Sequence, residues 1–308
     1  MKRIAITVFA LAFTVLGAWA QGTDALPFTR IDQNPVSLGL AGAGSASNAT
    51  AAYSAFSNAS MLPFFEGRLD ASAAFQLWSP SAAKSSNIAV GVAYKFSERV
   101  GVSLGYNLQS GAPYEVEDYN GQITGTFGPK SHVIALGAGF GIGEHFGIGV
   151  NARFAAQKPS SDLSYNGLSA DLFVAYAVNN DLRFTAGVST LGTSITAYNK
   201  KKYAQPASVK FGANWGISFA EVNRVEVMAD FDYYFSKNFS AAIGAQYDWN
   251  KTAFVRLGYR YSTPYCVIPS HLAIGIGGKF HGFRLDLSYL TASPALGNTL
   301  AIGLGYSF

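Results

Sequence analysis

Large apolar residues alternate with small or polar ones along most of this chain. The final stretch, GNTLAIGLGYSF, sets Leu300, Ile302, Leu304, Tyr306 and Phe308 on one side and Thr299, Ala301, Gly303, Gly305 and Ser307 on the other. Period-two alternation is the signature of a strand with two unlike faces. The small-residue face carries too little bulk for half of a sandwich core, so the large face must be covered by something other than a second sheet. Lipid is one such cover.

From about residue 68 onward the same pattern recurs, with no convincing helical period. It predicts fourteen strands, over 68–78, 87–96, 100–109, 131–143, 145–156, 167–178, 182–192, 207–219, 224–235, 239–249, 252–262, 270–280, 283–291 and 299–308. Ten residues tilted by about 45° rise roughly 25 Å, the height of the apolar band of a transmembrane barrel. The connections also alternate. Those after the even-numbered segments are short (SER, E, NND, AEVN, NK, HG), while most of the others are longer, above all 110–130 and 192–206; SKN, after the ninth, is the exception. Short turns on one rim and long loops on the other are what an up-and-down barrel requires, and an even strand count brings both ends to the rim of short turns. In an outer-membrane barrel that rim, and hence both termini, is periplasmic.

The faces sort charge. In 224–235 the phase of Val225, Val227, Phe231 and Tyr233 excludes charge, whereas the opposite phase holds Glu226, Met228, Asp230, Asp232 and Tyr234. Val255, Leu257, Tyr259 and Tyr261 oppose Phe254, Arg256 and Arg260 in the same way. Asp70, Lys95, Arg153, Asp171, Arg183, Lys210, Asp248, Lys279, Arg284 and Asp286 share the inward phase. A charge facing lipid costs about 2–4 kcal/mol at mid-bilayer, so this sorting argues for lipid outside and a polar lumen. The inward set Glu226, Asp230, Asp232, Asp248, Arg256, Arg260 and Asp286 is expected to form cross-strand ion pairs that brace the lumen or grip a plug, or to line a polar ligand path. Trp78, Phe96, Phe154, Phe219, Phe235, Trp249, Tyr261 and Tyr289, near strand ends, are expected in interfacial girdles.

Composition agrees. Charged residues make up 13% of the sequence, well below a soluble protein's share, while 33 glycines and 14% aromatics are high. The net charge of +4, half of it from Lys2 and Arg3, is too small to suggest nucleic acid. Residues 1–20 read as a secretory signal: Lys2 and Arg3, an apolar run, then Ala18-Trp19-Ala20 as the cleavage site. The single Cys266 forms no disulfide framework, and His132, His145, His271 and His281 lack metal-ligand spacing. No nucleophile motif stands out, so neither an enzyme nor a cofactor is expected. Three domains follow: signal peptide 1–20, a periplasmic tail or plug segment 21–66, and barrel 67–308.

Residues 21–66 do not alternate. Their run SLGLAGAGSASNATAAYSAFSNASML resembles the N-terminal motif of the FadL-like outer-membrane superfamily, and in particular its PorV/PorQ branch, with Ser37, Gly39, Gly42, Gly44, Ala52, Tyr53, Asn58, Ala59 and Leu62 matching. The Asn-Pro-Ala element of that branch departs here to Asn58-Ala59-Ser60. At the other end, Asp286, Tyr289, Leu296, Gly297 and Thr299 keep the spacing of its closing hairpin. The resemblance implies an all-β, transmembrane, antiparallel barrel of about fourteen strands, monomeric, in the outer membrane of a Gram-negative cell. It also implies an N-terminal plug containing Gly39, Gly42, Gly44 and Asn58, and a terminal Tyr306/Phe308 signal read by the barrel-assembly machinery. Two functions are implied: service in type IX secretion, with secretion-system proteins and cargo as partners, or uptake of hydrophobic small molecules. A structural scaffold is the third expectation. The inward phase offers few large apolar residues, which places the secretion role first, with lipid and lipopolysaccharide as surroundings and Lys200, Lys201 and Lys202 as a solvated or lipopolysaccharide-facing patch.

Overall fold

The computed structural model describes residues 24–78, 84–197, 200–220, 222–291, 293, 296 and 298–308. The expected signal sequence, 1–20, and Gly297 lie outside them. Eighteen strands follow in chain order: β1 (Leu69–Trp78), β2 (Ser85–Ser97), β3 (Val100–Ser110), β4 (Tyr114–Glu117), β5 (Ile123–Phe127), β6 (Lys130–Ile142), β7 (Phe146–Lys158), β8 (Tyr165–Ala177), β9 (Leu182–Gly192), β10 (Ile195–Thr196), β11 (Lys202–Tyr203), β12 (Ser208–Phe219), β13 (Asn223–Tyr234), β14 (Phe239–Trp249), β15 (Ala253–Ser262), β16 (His271–Phe280), β17 (Phe283–Thr291) and β18 (Thr299–Ser307).

Fourteen of these close an antiparallel barrel in the order β1-β18-β17-β16-β15-β14-β13-β12-β9-β8-β7-β6-β3-β2. The other four form two small antiparallel pairs within the longest connections, β4 with β5 and β10 with β11. Each barrel strand ends within two residues of its predicted bounds. Closure is made at the short-turn rim, where Phe308 O accepts Arg68 N at 2.6 Å and Leu69 N at 3.0 Å, and Phe308 N donates to Leu69 O at 3.1 Å. Tyr306 and Phe308 both face outward there.

Burial runs opposite to that of a soluble protein. Leu304 is 63% exposed on the outer wall, whereas Asp70 is fully buried within. Ile88, Val90, Leu136, Ile243, Leu257, Ile274 and their neighbours cover the outside, and Asn87, Asn107, Asn151, Asn214 and Gln76 line the inside. In water so much contiguous apolar surface would drive association; in a bilayer it matches its solvent. Most expected girdle aromatics do point outward, Phe96, Phe154, Phe219, Trp249, Tyr261 and Tyr289 among them. Trp78 does not: it shares the inward phase of Asp70, Ser72, Ala74 and Gln76 and is buried. Lys279 keeps the inward phase of β16 yet is exposed, because it lies one residue from the strand's end at the rim.

Residues 24–66 contribute short turns: the 3-10 turns Pro27–Arg30, Ser54–Phe56 and Ala59–Phe64, and α1 (Pro35–Leu38). Asn34 caps α1 by accepting from Val36 N at 3.1 Å, and Asn58 caps the turn that follows it, accepting from Ser60 N at 3.0 Å. Such a small-residue run forms no helix or sheet large enough to bury itself. Its packing comes from the barrel's inner wall.

Candidate functional site

The lumen is built where the N-terminal segment meets the inward rows of the strands. Contact there is backbone to backbone. A Cβ at Gly149 would overlap the Ser60 backbone, one at Gly91 would overlap Ala52 O, and one at Gly258 would overlap the Leu40 carbonyl. Glycine on the inner wall is what permits this approach.

Three charge clusters lock the segment to the wall. In the first, Asp230 and Asp232 lie two residues apart on the inner face of β13. Lys210, on β12 opposite Asp232, reaches Asp230 at 3.1 Å and Asp232 at 3.7 Å. From the segment, Arg30 donates to Asp232 at 3.1 Å, Ser189 at 2.7 Å and Ser208 at 3.1 Å, and covers the Tyr234 ring. Ser45 Oγ donates to Asp230 at 2.9 Å. Arg260 donates to Ser240 Oγ at 2.8 Å and to the segment's Ala41 O at 2.9 Å, and lies 3.8 Å from Asp232. Burial opposes the Arg30 charge, but Tyr234 and Asp232 outweigh it and hold the guanidinium above its ordinary value. Burial raises the Asp32 carboxyl, and the Ser37 side chain and Asn34 N–H offset this only in part.

In the second cluster, Asp286 sits between Arg256 at 2.7 Å and Arg284 at 3.0 Å. Arg256 is also held by Gln246 at 2.6 Å. Arg284 donates to Ser72 at 3.0 Å and lies 3.8 Å from Asp70, whose other oxygen accepts Ala52 N of the segment at 2.9 Å. In the third, Arg153 pairs with Asp171, which also accepts Thr190 N at 2.7 Å where β9 bulges against β8. Beside it Asn151 donates to Ser54 O at 3.1 Å.

The predicted charge set therefore divides. Asp230, Asp232 and Arg260 converge on the segment, while Arg256 and Asp286 meet across β16. Arg256 pairs with Asp286 of β17 and not with the acids of β13, although one strand intervenes on either side, and Gln246 of β14 holds its Nε at 2.6 Å. Glu226 and Asp248 stand apart at the short-turn rim, Glu226 with Arg224 at 3.1 Å and Asp248 accepting Lys251 N at 2.7 Å. Among the residues expected in a plug, Gly42 (φ 82°) and Gly44 (φ 141°) adopt backbone angles that favour glycine, and a Cβ on Gly42 would press on the Arg260 guanidinium above it. Gly39 packs on Gly275, and Asn58 also donates to Ser45 O at 2.9 Å. Sequence reasoning missed Arg30, which lies in a segment without phase; Lys210, Asp70 and Arg284 were on the inward list but unassigned.

The long-loop end of the lumen differs. There Leu26, Phe28 and Ile31 of the segment join Trp78, Val133, Ile195, Ile268, Leu290 and Leu296 in one buried apolar cluster. Trp78, Val133 and Leu290 come from barrel strands and the rest from loops and the segment, so this end is more apolar than the thin lining expected from the strand phases alone. Two inner cavities measure about 30 Å³, between polar groups of the segment, and about 10 Å³, beside Phe28 and Arg153. Both are water-sized. Among the described residues no three His, Cys, Asp or Glu side chains group as metal ligands.

No family model matches the sequence, and neither does any curated protein. Solved structures do match the fold. The P. putida toluene transporter TodX is similar with a TM-score of 0.63 at 14% identity, over 88% of this chain and 97% of that one. The Ralstonia pickettii toluene transporter TbuX gives 0.62 at 13%, over 91% and 99%. A Pseudomonas aeruginosa FadL homologue gives 0.55 at 10%, over 90% and 98%. At such identities the likeness is one of architecture: this chain has the closed fourteen-stranded antiparallel fold of FadL-like outer-membrane barrels.

Proposed function

We propose that this protein is an outer-membrane channel for small hydrophobic molecules, with residues 24–66 as its plug in the closed state. The observation that carries the reading is the apolar cluster at the long-loop mouth, where Phe28 and Ile31 fill a site walled by Trp78, Ile195, Ile268 and Leu290. An apolar solute leaving water gains about 25 cal/mol per Å² buried, and this mouth is where it would exchange for those side chains. The toluene transporters of like fold support the same reading. Ligand pockets typically measure about 300–1,000 Å³, so passage requires the plug to shift.

A tether tests it. Ala25 N donates to Ala204 O at 2.8 Å, joining the segment to the loop that carries β10 and β11. With Cys266→Ser in place, an Ala25→Cys/Ala204→Cys disulfide should abolish uptake of radiolabelled toluene by expressing cells, and reduction should restore it. Uptake no greater than in vector cells, with or without reductant, sinks the channel reading. The secretion role keeps one observation in its favour, the protruding β4–β5 hairpin with Tyr119 fully exposed. Replacing 111–129 by a Gly/Ser turn would then abolish partner capture while leaving toluene uptake unchanged. A barrel that passes neither assay is a scaffold.

In this reading the short-turn rim, with both termini, is periplasmic. After Cys266→Ser, a membrane-impermeant thiol reagent is expected to label Tyr119→Cys on intact cells but not Asn180→Cys or Lys251→Cys. The reverse labelling pattern inverts the barrel.

A further inference from the structure

Outside the lumen, β6 and β7 bring two lysines face to face. Lys130 and Lys158 are direct register partners at the long-loop rim, both exposed and both on the outward phase. Like charges directly opposite each other on a sheet are destabilising. Among the described residues neither has a carboxylate within 4.0 Å, and the adjoining hairpin's Glu115 and Glu117 form no ion pair with them. The Lys158 ammonium instead lies 5.8 Å from the centre of the Phe127 ring.

The rungs below descend in polarity. His132 faces Ala156, and its ring is fixed by a 2.8 Å hydrogen bond between Nδ1 and Tyr106 Oη. Asn166 of β8 flanks Ala156 on the other side. Next come Ile134 opposite Phe154, then Leu136 opposite Ala152, all outward. Polarity thus falls along the outer wall from the two ammonium groups to the apolar rows of Ile134, Phe154 and Leu136.

We propose that this face binds the phosphate of an anionic membrane lipid: Lys130 and Lys158 neutralise the phosphate, His132, Tyr106 and Asn166 offer hydrogen bonds, and an acyl chain lies over the apolar side chains of Ile134, Phe154 and Leu136. The anion relieves the lysine pair, and the ladder matches a lipid from headgroup to chain. The lipid's identity rests on the orientation given above. If the long-loop rim faces outward, the phosphate-bearing lipid there is lipid A.

The test uses the full-length folded protein in detergent, where binding does not depend on orientation, with lipid A, phosphatidylcholine and inorganic phosphate as probes in native mass spectrometry. A surface lysine near a membrane contributes about fivefold to anionic-lipid binding. Lys130→Gln or Lys158→Gln should therefore weaken lipid A binding about fivefold each, and the pair about thirtyfold. Phosphatidylcholine retention and heat-modifiable migration should be unchanged. Lipid A binding by the double variant within about twofold of wild type overturns the site, as does equal loss of phosphatidylcholine. Complete displacement of lipid A by inorganic phosphate would make it a free-anion site and overturn the lipid assignment. Opposite labelling of Tyr119→Cys would withdraw lipid A as the natural ligand without touching the binding result.

Discussion

Asp286→Leu is expected to destabilise the folded barrel by about 3–5 kcal/mol, the cost of leaving a buried partner uncompensated. Asp286 receives Arg256 and Arg284 on its two oxygens, and all three side chains are almost wholly buried. Without it two guanidinium groups face each other, with Asp70 at 3.8 Å from Arg284 as the remaining carboxylate. The intact pairs need not add much net stability, since taking charges out of water offsets most of their attraction; the asymmetry lies in breaking them. Adding Arg256→Met to Asp286→Leu should therefore recover a substantial part of the loss, because Arg284 keeps Asp70 and Ser72. Urea unfolding in lipid vesicles, followed by tryptophan fluorescence, measures both variants. An Asp286→Leu midpoint equal to wild type, or a double variant less stable than the single, contradicts this account of the lumen.

How much of this was legible follows from what a sequence encodes locally. Strand phase is a nearest-neighbour property, so the outward rows and the inward placement of Asp230, Asp232, Arg256, Arg260 and Asp286 were readable from alternation and the cost of charge in lipid. Pairing is not local. Whether Arg256 meets an acid of β13 or Asp286 of β17 depends on side-chain reach across an intervening strand, and the rows of inward charges were compatible with either. The segment at 24–66 gave still less, because its short turns have no period. Arg30 became visible only once the chain had folded back against Asp232. The segment's glycines were suggestive for a physical reason: a Cβ on Gly39 would crowd Gly275, and Gly42, under Arg260, has a positive φ that side chains disfavour. Trp78 misled because aromatics at strand ends serve both girdles and lumen mouths, and only its phase distinguishes them.

The apolar mouth and the charged middle also differ in what opening would require. Displacing Phe28 and Ile31 exposes a surface that an apolar solute can cover in turn. Freeing the middle means parting Arg30 from Asp232 and Ser45 from Asp230, groups a hydrocarbon cannot satisfy. In a channel of this build the solute would therefore enter at the long-loop end and exchange with the segment's first residues, leaving the ion-paired middle as the harder barrier.

The closing strand gives the other large effect. Ile302 lies mid-way along β18, faces outward, and stands opposite Phe75 of β1 and Leu287 of β17, so Ile302→Arg sets a charge against lipid near the middle of the wall. The expected destabilisation is about 2–4 kcal/mol, less if the guanidinium reaches an interface. One residue earlier, Ala301 faces the lumen with Gln76 and Ser288 directly opposite, so Ala301→Ser gains hydrogen-bond partners and should fold as wild type. Deleting Phe308 acts differently. It removes the carbonyl that accepts Arg68 N and Leu69 N, and the N–H that donates to Leu69 O, opening the seam between first and last strands. It also removes the outward ring that packs near Tyr306. Assembly into vesicles, scored by the heat-modifiable band, should therefore fall for Ile302→Arg and for the deletion but not for Ala301→Ser. Equal assembly of all three would mean that neither the lipid-facing phase of β18 nor the bonds of Phe308 govern closure of the barrel.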